Sequence, residues 1–419
     1  MSDKRLSIAV IGTGISGLTA AYLLHQKHDI KVFEANSYIG GHTNTIDVVT
    51  SKKTYSVDTG FIVFNERTYP NFISLLNRLG VASQPSTMGF SVSAEKTGLE
   101  YSGTSISTLF AQKKNIVSPS FYRMLKGILR FNREAPKLLN SNDDLITLGE
   151  YLLSNNYSKE FIDHFIVPMG AAIWSTVSDK MMDFPAVTFI RFFKNHGMLS
   201  FKDRPQWRVI KGGSKQYVKK LISGFQDSIN INTPIVSIRR LENGVDVETG
   251  NGKTERFDKV ILAVHSDQAL NMLEDPTDEE KRILSAIPYE ENIAVLHTDT
   301  SVLPYRKKVW SSWNYHIWDN RKDKVSLTYN MNILQNLKSN DVFCVTLNAG
   351  DEIKPGKILK TINYHHPRFT VESILAQKEK HLISGENNTY YCGAYWHYGF
   401  HEDGVNSALE VGKHFGVGL

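Results

Sequence analysis

Hydrophobic and polar positions along the chain fall into two alternating rhythms. Short apolar-dominated runs, of the kind found in strands covered on both faces, occur at Ser7-Ile8-Ala9-Val10-Ile11, Ile30-Lys31-Val32-Phe33-Glu34 and Lys259-Val260-Ile261-Leu262-Ala263-Val264. A helical spacing follows the first of them, from Leu18 to Lys27. Thr54 to Asp58 predicts a further strand, closed by Asp58-Thr59-Gly60-Phe61, and Asn71 to Leu79 predicts a helix. From Ser107 to Leu199 the pattern is largely helical, with Pro168 and Pro185 read as breaks. Lys211-Gly212-Gly213-Ser214 starts a helix that runs to about Leu221. A meander of short strands follows at 229–231, 234–238 and 245–248, with Asn243-Gly244 and Asn251-Gly252 as turns. Residues 290–350 alternate in strand fashion. A last strand at Thr389 to Gly393 precedes a helix near Asn406 to Phe415. The pattern predicts an α/β fold: a nucleotide domain built from 1–65, 205–270 and 386–419, interleaved with an α+β substrate domain of 66–204 and 271–385.

The first forty-odd residues carry the chemistry. Gly12-Thr13-Gly14-Ile15-Ser16-Gly17 joins a strand to a helix, and Glu34 ends the next strand. That arrangement binds the pyrophosphate of an adenine dinucleotide on a helix N-terminus, where free N–H groups and the dipole favour negative charge. Gly12 supplies the tight turn, Gly14 the close backbone approach and Gly17 the helix–strand contact. Glu34 is placed to accept from the ribose hydroxyls, which disfavours NADP. The doublet Gly40-Gly41, followed by His42 and Thr43, selects FAD over NAD, because the loop after the second strand must fold back over the pyrophosphate.

Composition narrows the picture. At 419 residues, 41% hydrophobic and 22% charged, the chain is long enough for two globular domains. Its net charge of +5 is dispersed, which argues against nucleic acid. The two cysteines, Cys344 and Cys392, form no CxxC, so no metal or redox disulfide is expected. No signal peptide and no apolar run of about 18 residues is visible, so a cytoplasmic location is expected.

The separated pieces resemble the flavin-containing amine oxidase, phytoene desaturase and protoporphyrinogen oxidase superfamily. A closer resemblance is to bacterial amine oxidase-like proteins associated with cyclopropane fatty acid synthases. It is carried by Pro168-Met169, Ala172-Ile173-Trp174-Ser175, Asn195-His196-Gly197, Arg204-Pro205-Gln206-Trp207-Arg208, Ser312-Trp313-Asn314-Tyr315 and Gly399-Phe400-His401-Glu402-Asp403-Gly404. The resemblance implies an amine oxidase-like two-domain fold and noncovalent FAD. It implies FAD contacts at Gly12, Gly14, Ser16, Gly17, Glu34, Gly40, Gly41, His42, Thr43, Gly60, Phe61, Val236, Gly393 and Val405. Val236 would hold adenine through its backbone, and the Val405 N–H would face the flavin pyrimidine oxygen. The chain departs from the family at three places. His42 stands where Arg is usual. The stretch from Ile287 to Val295 offers no lysine for the flavin, and Gly404 stands where an amine-caging aromatic is common.

These departures shift the expected substrate from a small amine toward an unsaturated or methylated fatty acyl chain, acted on by a desaturase or dehydrogenase. A flavin amine oxidase, a flavin-bound isomerase and a lipid-presenting partner of a methyltransferase are the alternatives. A desaturase needs a proton acceptor, and His401, beside Glu402 and Asp403 and near Tyr398, is the candidate; the same segment equally fits a turn that caps the last helix. Trp313, Tyr315, His316 and Trp318 fit either sheet core or a substrate channel. Over 121–139, Arg123, Lys126, Arg130, Arg133 and Lys137 form a basic stripe opposite an apolar one. That pattern fits a solvated surface helix or peripheral contact with an anionic membrane.

Overall fold

A computed structural model describes residues 4–51, 53–140, 145–200, 202, 204–319 and 326–419. Its centre is a parallel five-stranded sheet of β1 (Ser7–Ile11), β2 (Asp29–Phe33), β3 (Ile229–Asn230), β4 (Lys259–Leu262) and β5 (Thr389–Tyr391), in the order β3-β2-β1-β4-β5. Side chains alternate across it. Ile8, Val10, Val32 and Ile261 face one cluster with helix α1 (Ile15–Leu24). Ala9, Ile11, Phe33, Val260 and Leu262 face the other, against the antiparallel strands Ile235–Leu241, Gly244–Thr249 and Thr254–Phe257. Both faces are therefore covered, which is why these strands read as apolar runs. Strand order reverses between β1 and β4, so a crevice opens beyond their carboxyl ends.

Helix α2 (Pro70–Arg78) packs on the α1 side. Helix α3 (Pro119–Glu134) begins the helical region, which holds a core centred on Phe131, Phe161, Phe189 and Trp174. A seven-stranded sheet stands beside it. It runs from Ile358–Pro367 through Tyr289–His297, Cys344–Leu347, Leu327–Asn330 and Trp313–Ile317 to Phe90–Ala94 and Leu99–Ser102. Helix α4 (Lys215–Leu221) precedes β3, α5 (Ser266–Met272) follows β4, and α6 (His401–His414) closes the chain.

Several elements differ from the sequence expectation. Pro168 breaks nothing: the chain stays helical from Lys159 to Trp174 through a π-helical turn at Ile162–Ile166, and Pro168 lies in the first turn after it, where a missing N–H costs little. The basic helix ends at Glu134, and Ala135–Asn140 is 3₁₀. The last helix starts at His401, several residues early. The strands Phe90–Ala94, Leu99–Ser102 and Ile358–Pro367 were not expected. Among the described residues, no helix is long and apolar enough to cross a membrane.

Candidate functional site

The crevice is built from glycines that let backbones meet. Gly12 has φ +101°, and a Cβ there would lie 2.5 Å from the Ala263 carbonyl oxygen at the end of β4. A Cβ on Gly17 would fall 2.1 Å from the Gly12 oxygen. Gly14 is different: a Cβ there would meet nothing within 4 Å. It is the N-cap of α1, and no side chain caps that end. The helix therefore presents uncapped N–H groups to open space, with no acid in its first turn. The second glycine loop folds back over the first. A Cβ on Gly41 would sit 3.2 Å from Gly14 Cα, and the Gly40 N–H donates to Thr13 Oγ1 at 3.2 Å. These features fit a dinucleotide pyrophosphate.

Glu34 is buried and fully engaged. Its Oε2 accepts from the Thr13 N–H at 3.0 Å and from Thr13 Oγ1 at 2.5 Å; its Oε1 accepts from the Asn36 N–H at 2.8 Å and Asn36 Nδ2 at 2.9 Å. The carboxylate thus ties the glycine loop to the end of β2. Val236 is half exposed and falls at a register shift in its strand, between Ile235 and Ser237, without a cross-strand partner.

Below the glycine loops lies a buried polar knot. Thr43 Oγ1 contacts the Tyr217 hydroxyl, and His401 Nε2 lies 3.0 Å from Thr43 Oγ1 and 3.1 Å from the Tyr217 oxygen. The His401 ring stacks on Phe61 with centroids 3.5 Å apart. Burial holds this imidazole neutral, well below its ordinary range. The Phe61 N–H in turn donates to the His42 carbonyl at 2.7 Å, and Gly60 leaves the room for that strand crossing. The candidate proton acceptor is therefore a strut inside the core. Tyr398 packs beside Phe192 in the helical region, and its carbonyl accepts from Trp174 Nε1 at 3.3 Å.

The first turn of α6 has structural duties. Glu402 accepts from the N–H groups of Asn71 and Phe72, capping α2 from outside. Asp403 accepts from the Phe400 N–H and is pushed up to about 7 by burial. Because α6 begins at His401, the Val405 N–H belongs to the helical ladder and is not a free terminal donor; Val405 is fully buried. Gly404 faces α1: a Cβ there would lie 2.6 Å from Ile15 Cγ2 and 2.9 Å from Ser16 Oγ. Gly393 is buried at the end of β5, its N–H bound to Ser407 Oγ at 3.0 Å. Asn314 and Tyr315 belong to the core, the former with both amide atoms satisfied by Ser91, Ser311 and Thr328.

The sequence reading named His42, as an FAD contact, but missed the other histidines that stand beside it in a wall, His265, His365 and His366. His42 stacks on Tyr364 at 4.7 Å and lies 5.0 Å from the His366 ring. His265, directly beyond β4, stacks on Tyr289 at 4.2 Å and lies 6.1 Å from the His365 ring. The only sequence signal was a polar residue placed just past a buried strand.

The flavin containing amine oxidoreductase family matches residues 15–334. Flavin-containing amine oxidase B of Bos taurus is 22% identical over 338 residues, which cover 75% of this chain and 60% of that protein. The chain thus spans about 60% of the length of this curated relative. Two solved structures share the fold across nearly the whole chain. Cyclohexylamine oxidase from Brevibacterium oxydans IH-35A is 15% identical with a TM-score of 0.70, covering 98% of both chains. A CLA-producing fatty acid isomerase from P. acnes is 15% identical with a TM-score of 0.72, covering 99% of both.

Proposed function

The chain belongs to the flavin containing amine oxidoreductase family, and from that premise we propose that it is an FAD-dependent oxidoreductase that desaturates or dehydrogenates an unsaturated or methylated fatty acyl chain. Bound flavin supplies a two-electron acceptor for hydride. The residues that would hold it are those of the two glycine loops, Glu34 and the Val236 backbone. Gly14 and the uncapped start of α1 would receive the pyrophosphate, Glu34 would orient the ribose, and the Tyr217–Thr43–His401 knot would hold the floor of the crevice.

The observation that carries the acyl reading is the histidine wall. An ammonium substrate is recognised by carboxylates or an aromatic cage. Here four imidazoles converge, their charged neighbours within the group are one another, and burial with mutual repulsion keeps His42 and His265 neutral at about 4 and His366 at about 3. Such a wall is uncharged and gives an ammonium ion no counter-charge. The fatty acid isomerase of the same fold acts on a fatty acid, which lends the reading further support. Anaerobic mixing tests it: bleaching of the flavin band by an unsaturated acyl lipid is expected, and bleaching by a small amine in its place would return the protein to amine oxidation.

A peripheral membrane contact belongs to the same reading. Three arginines of the basic stripe are paired, Arg123 with Glu160 and both Arg130 and Arg133 with Glu134. The exposed side chains within α3 from Phe121 on are Tyr122, Arg123, Lys126, Leu129 and Arg133, beside exposed Ile116 and Val117. Residues 101–133 hold six basic side chains and no acid. Apolar tips set among lysines suit an anionic bilayer surface. A methyltransferase that modifies the same acyl chains would work beside this enzyme at that surface.

A further inference from the structure

We propose that His42, His265, His365 and His366 form a binding site for an oxyanion, the carboxylate or phosphate head of the acyl substrate. The inference rests on the acyl reading above and names what the substrate must carry. Four imidazoles come from three separate elements: the loop after Gly41, the N-cap of α5 and the edge strand Ile358–Pro367. Their rings lie 5.0 and 6.1 Å apart within the two pairs. His42, His265 and His366 are part-buried and His365 is exposed.

Each neutral ring of the wall carries one N–H donor and one acceptor nitrogen. At the start of α5 the His265 backbone N–H donates to Gln268 Oε1 at 3.3 Å, and the His265 ring stacks on Tyr289. His42 Nε2 and His366 Nδ1 are buried and have no hydrogen-bond partner. A buried polar atom left unmade costs ~1–3 kcal/mol, so two such atoms on rings whose centroids lie 5.0 Å apart imply a ligand that satisfies them. In the tautomers that place the proton on these two nitrogens, that ligand supplies acceptors.

No neighbouring acid supplies them. Glu290, opposite His366 in register, is turned to Thr176 Oγ1 at 3.0 Å and toward Arg368. Glu291, opposite His365, accepts from Asn363. Asp267 accepts from the Gln268 N–H, and Asp58 is engaged by Thr45, Ser214 and Gln335. The phenols Tyr289 and Tyr364 are held protonated by burial. Histidines that are neutral without a ligand gain protons when an anion arrives, because an opposite charge restores the cationic form. Binding therefore takes up protons from solution.

The test uses the FAD-loaded protein and calorimetric titration with decanoate, methyl decanoate and inorganic phosphate between pH 5.5 and 8. Decanoate is expected to bind at least tenfold tighter than its uncharged ester, to tighten as pH falls, and to take up protons in buffers of different ionisation enthalpy. The H365Q/H366Q double variant is expected to lose tenfold or more in decanoate affinity with FAD content unchanged. Competition by phosphate assigns the site to a phospholipid head; its absence assigns it to a free fatty carboxylate. Equal binding by the double variant, or by the ester, overturns the site. Loss of FAD in the double variant also overturns it and gives the wall to the cofactor. Acyl-lipid bleaching of flavin in a protein whose decanoate affinity ignores these histidines would leave the enzyme reading standing and this one refuted.

Discussion

Glu34 was legible in the sequence as the acid that ends the second strand, yet its full role was not. Four protein donors hold the carboxylate, two of them backbone N–H groups of Thr13 and Asn36. A side chain that tethers a loop and orients a ribose cannot be inferred from spacing alone, because the tether depends on where Asn36 turns the chain. Glu34→Gln replaces one acceptor by a donor that must face donors already in place. FAD affinity is expected to fall by ~1.5–3 kcal/mol, roughly ten- to a hundredfold in Kd, the scale of lost charge-assisted hydrogen bonds. Equilibrium titration of the apoprotein with FAD measures it, and an unchanged Kd would show that the loop holds its shape without the charge. His401 carries the opposite lesson. Its sequence neighbours Glu402 and Asp403 suggested proton chemistry. The fold spends all three on internal contacts, because the helix begins at His401 itself and turns its first turn into the core.

At the scale of elements, strands covered on both faces and the glycine turns were readable, since apolar runs and φ-demanding glycines leave local signatures. The edge strand Ile358–Pro367 was not: its residues are mostly exposed, so no apolar alternation marks it. That strand carries His365 and His366, which explains why half of the histidine wall went unseen. Gly404 was read as a residue beside the flavin, but it is where α6 crosses α1. Gly404→Ala forces a Cβ against Ile15 and Ser16 and pushes the two helices apart at the pyrophosphate end. Overpacking of this kind costs ~1–3 kcal/mol. Thermal melts and flavin absorbance should fall together, whereas a stable Gly404→Ala protein with altered turnover alone would contradict the crossing. The outer stripe of α3 makes a separate prediction. Replacing Lys113, Lys114 and Lys126 with Glu should abolish co-sedimentation with vesicles containing anionic lipid, each near-surface lysine contributing ~1 kcal/mol. Binding by the parent should weaken with added salt, as screening over ~10 Å at 0.1 M requires. Pelleting of the variant equal to that of the parent would leave α3 an ordinary solvated helix.

Across the whole molecule the unusual electrostatic feature is the number of histidines kept neutral. Burial lowers His42, His196, His265, His297 and His316 to about 4 and His366 to about 3, and pushes His401 well down. Each is free to take up its proton near its ordinary value of about 6.5 once the chain unfolds. Between about 6.5 and 4 the unfolded chain therefore binds more protons at these sites, and the stability they represent is lost as pH falls through that window. The buried carboxyls oppose this. Asp58 is raised to about 6 and Asp403 to about 7, chiefly by burial, and Glu402 is also raised. Their contribution runs the other way, stability being lost as pH rises from the ordinary carboxyl range to those values. The histidines outnumber these acids, so the balance is a net loss on acidification, at ~1.4 kcal/mol per pH unit for each net proton. The Tm of the FAD-loaded protein should fall monotonically from pH 7.5 to 5, with a stability slope steeper than one proton explains. His297 isolates the cause away from the crevice: it has no exposed surface, its Nδ1 accepts from the Asp299 N–H at 3.1 Å, and its Nε2 meets Thr346 Oγ1 at 2.7 Å. A ring that must accept at Nδ1 cannot be charged in the fold. His297→Gln should lower stability at pH 7.5 yet flatten the slope by up to ~1.4 kcal/mol per pH unit near pH 5. A Tm that stays level or rises on acidification, or a His297→Gln slope identical to the parent's, would show that these imidazoles are charged in the folded protein.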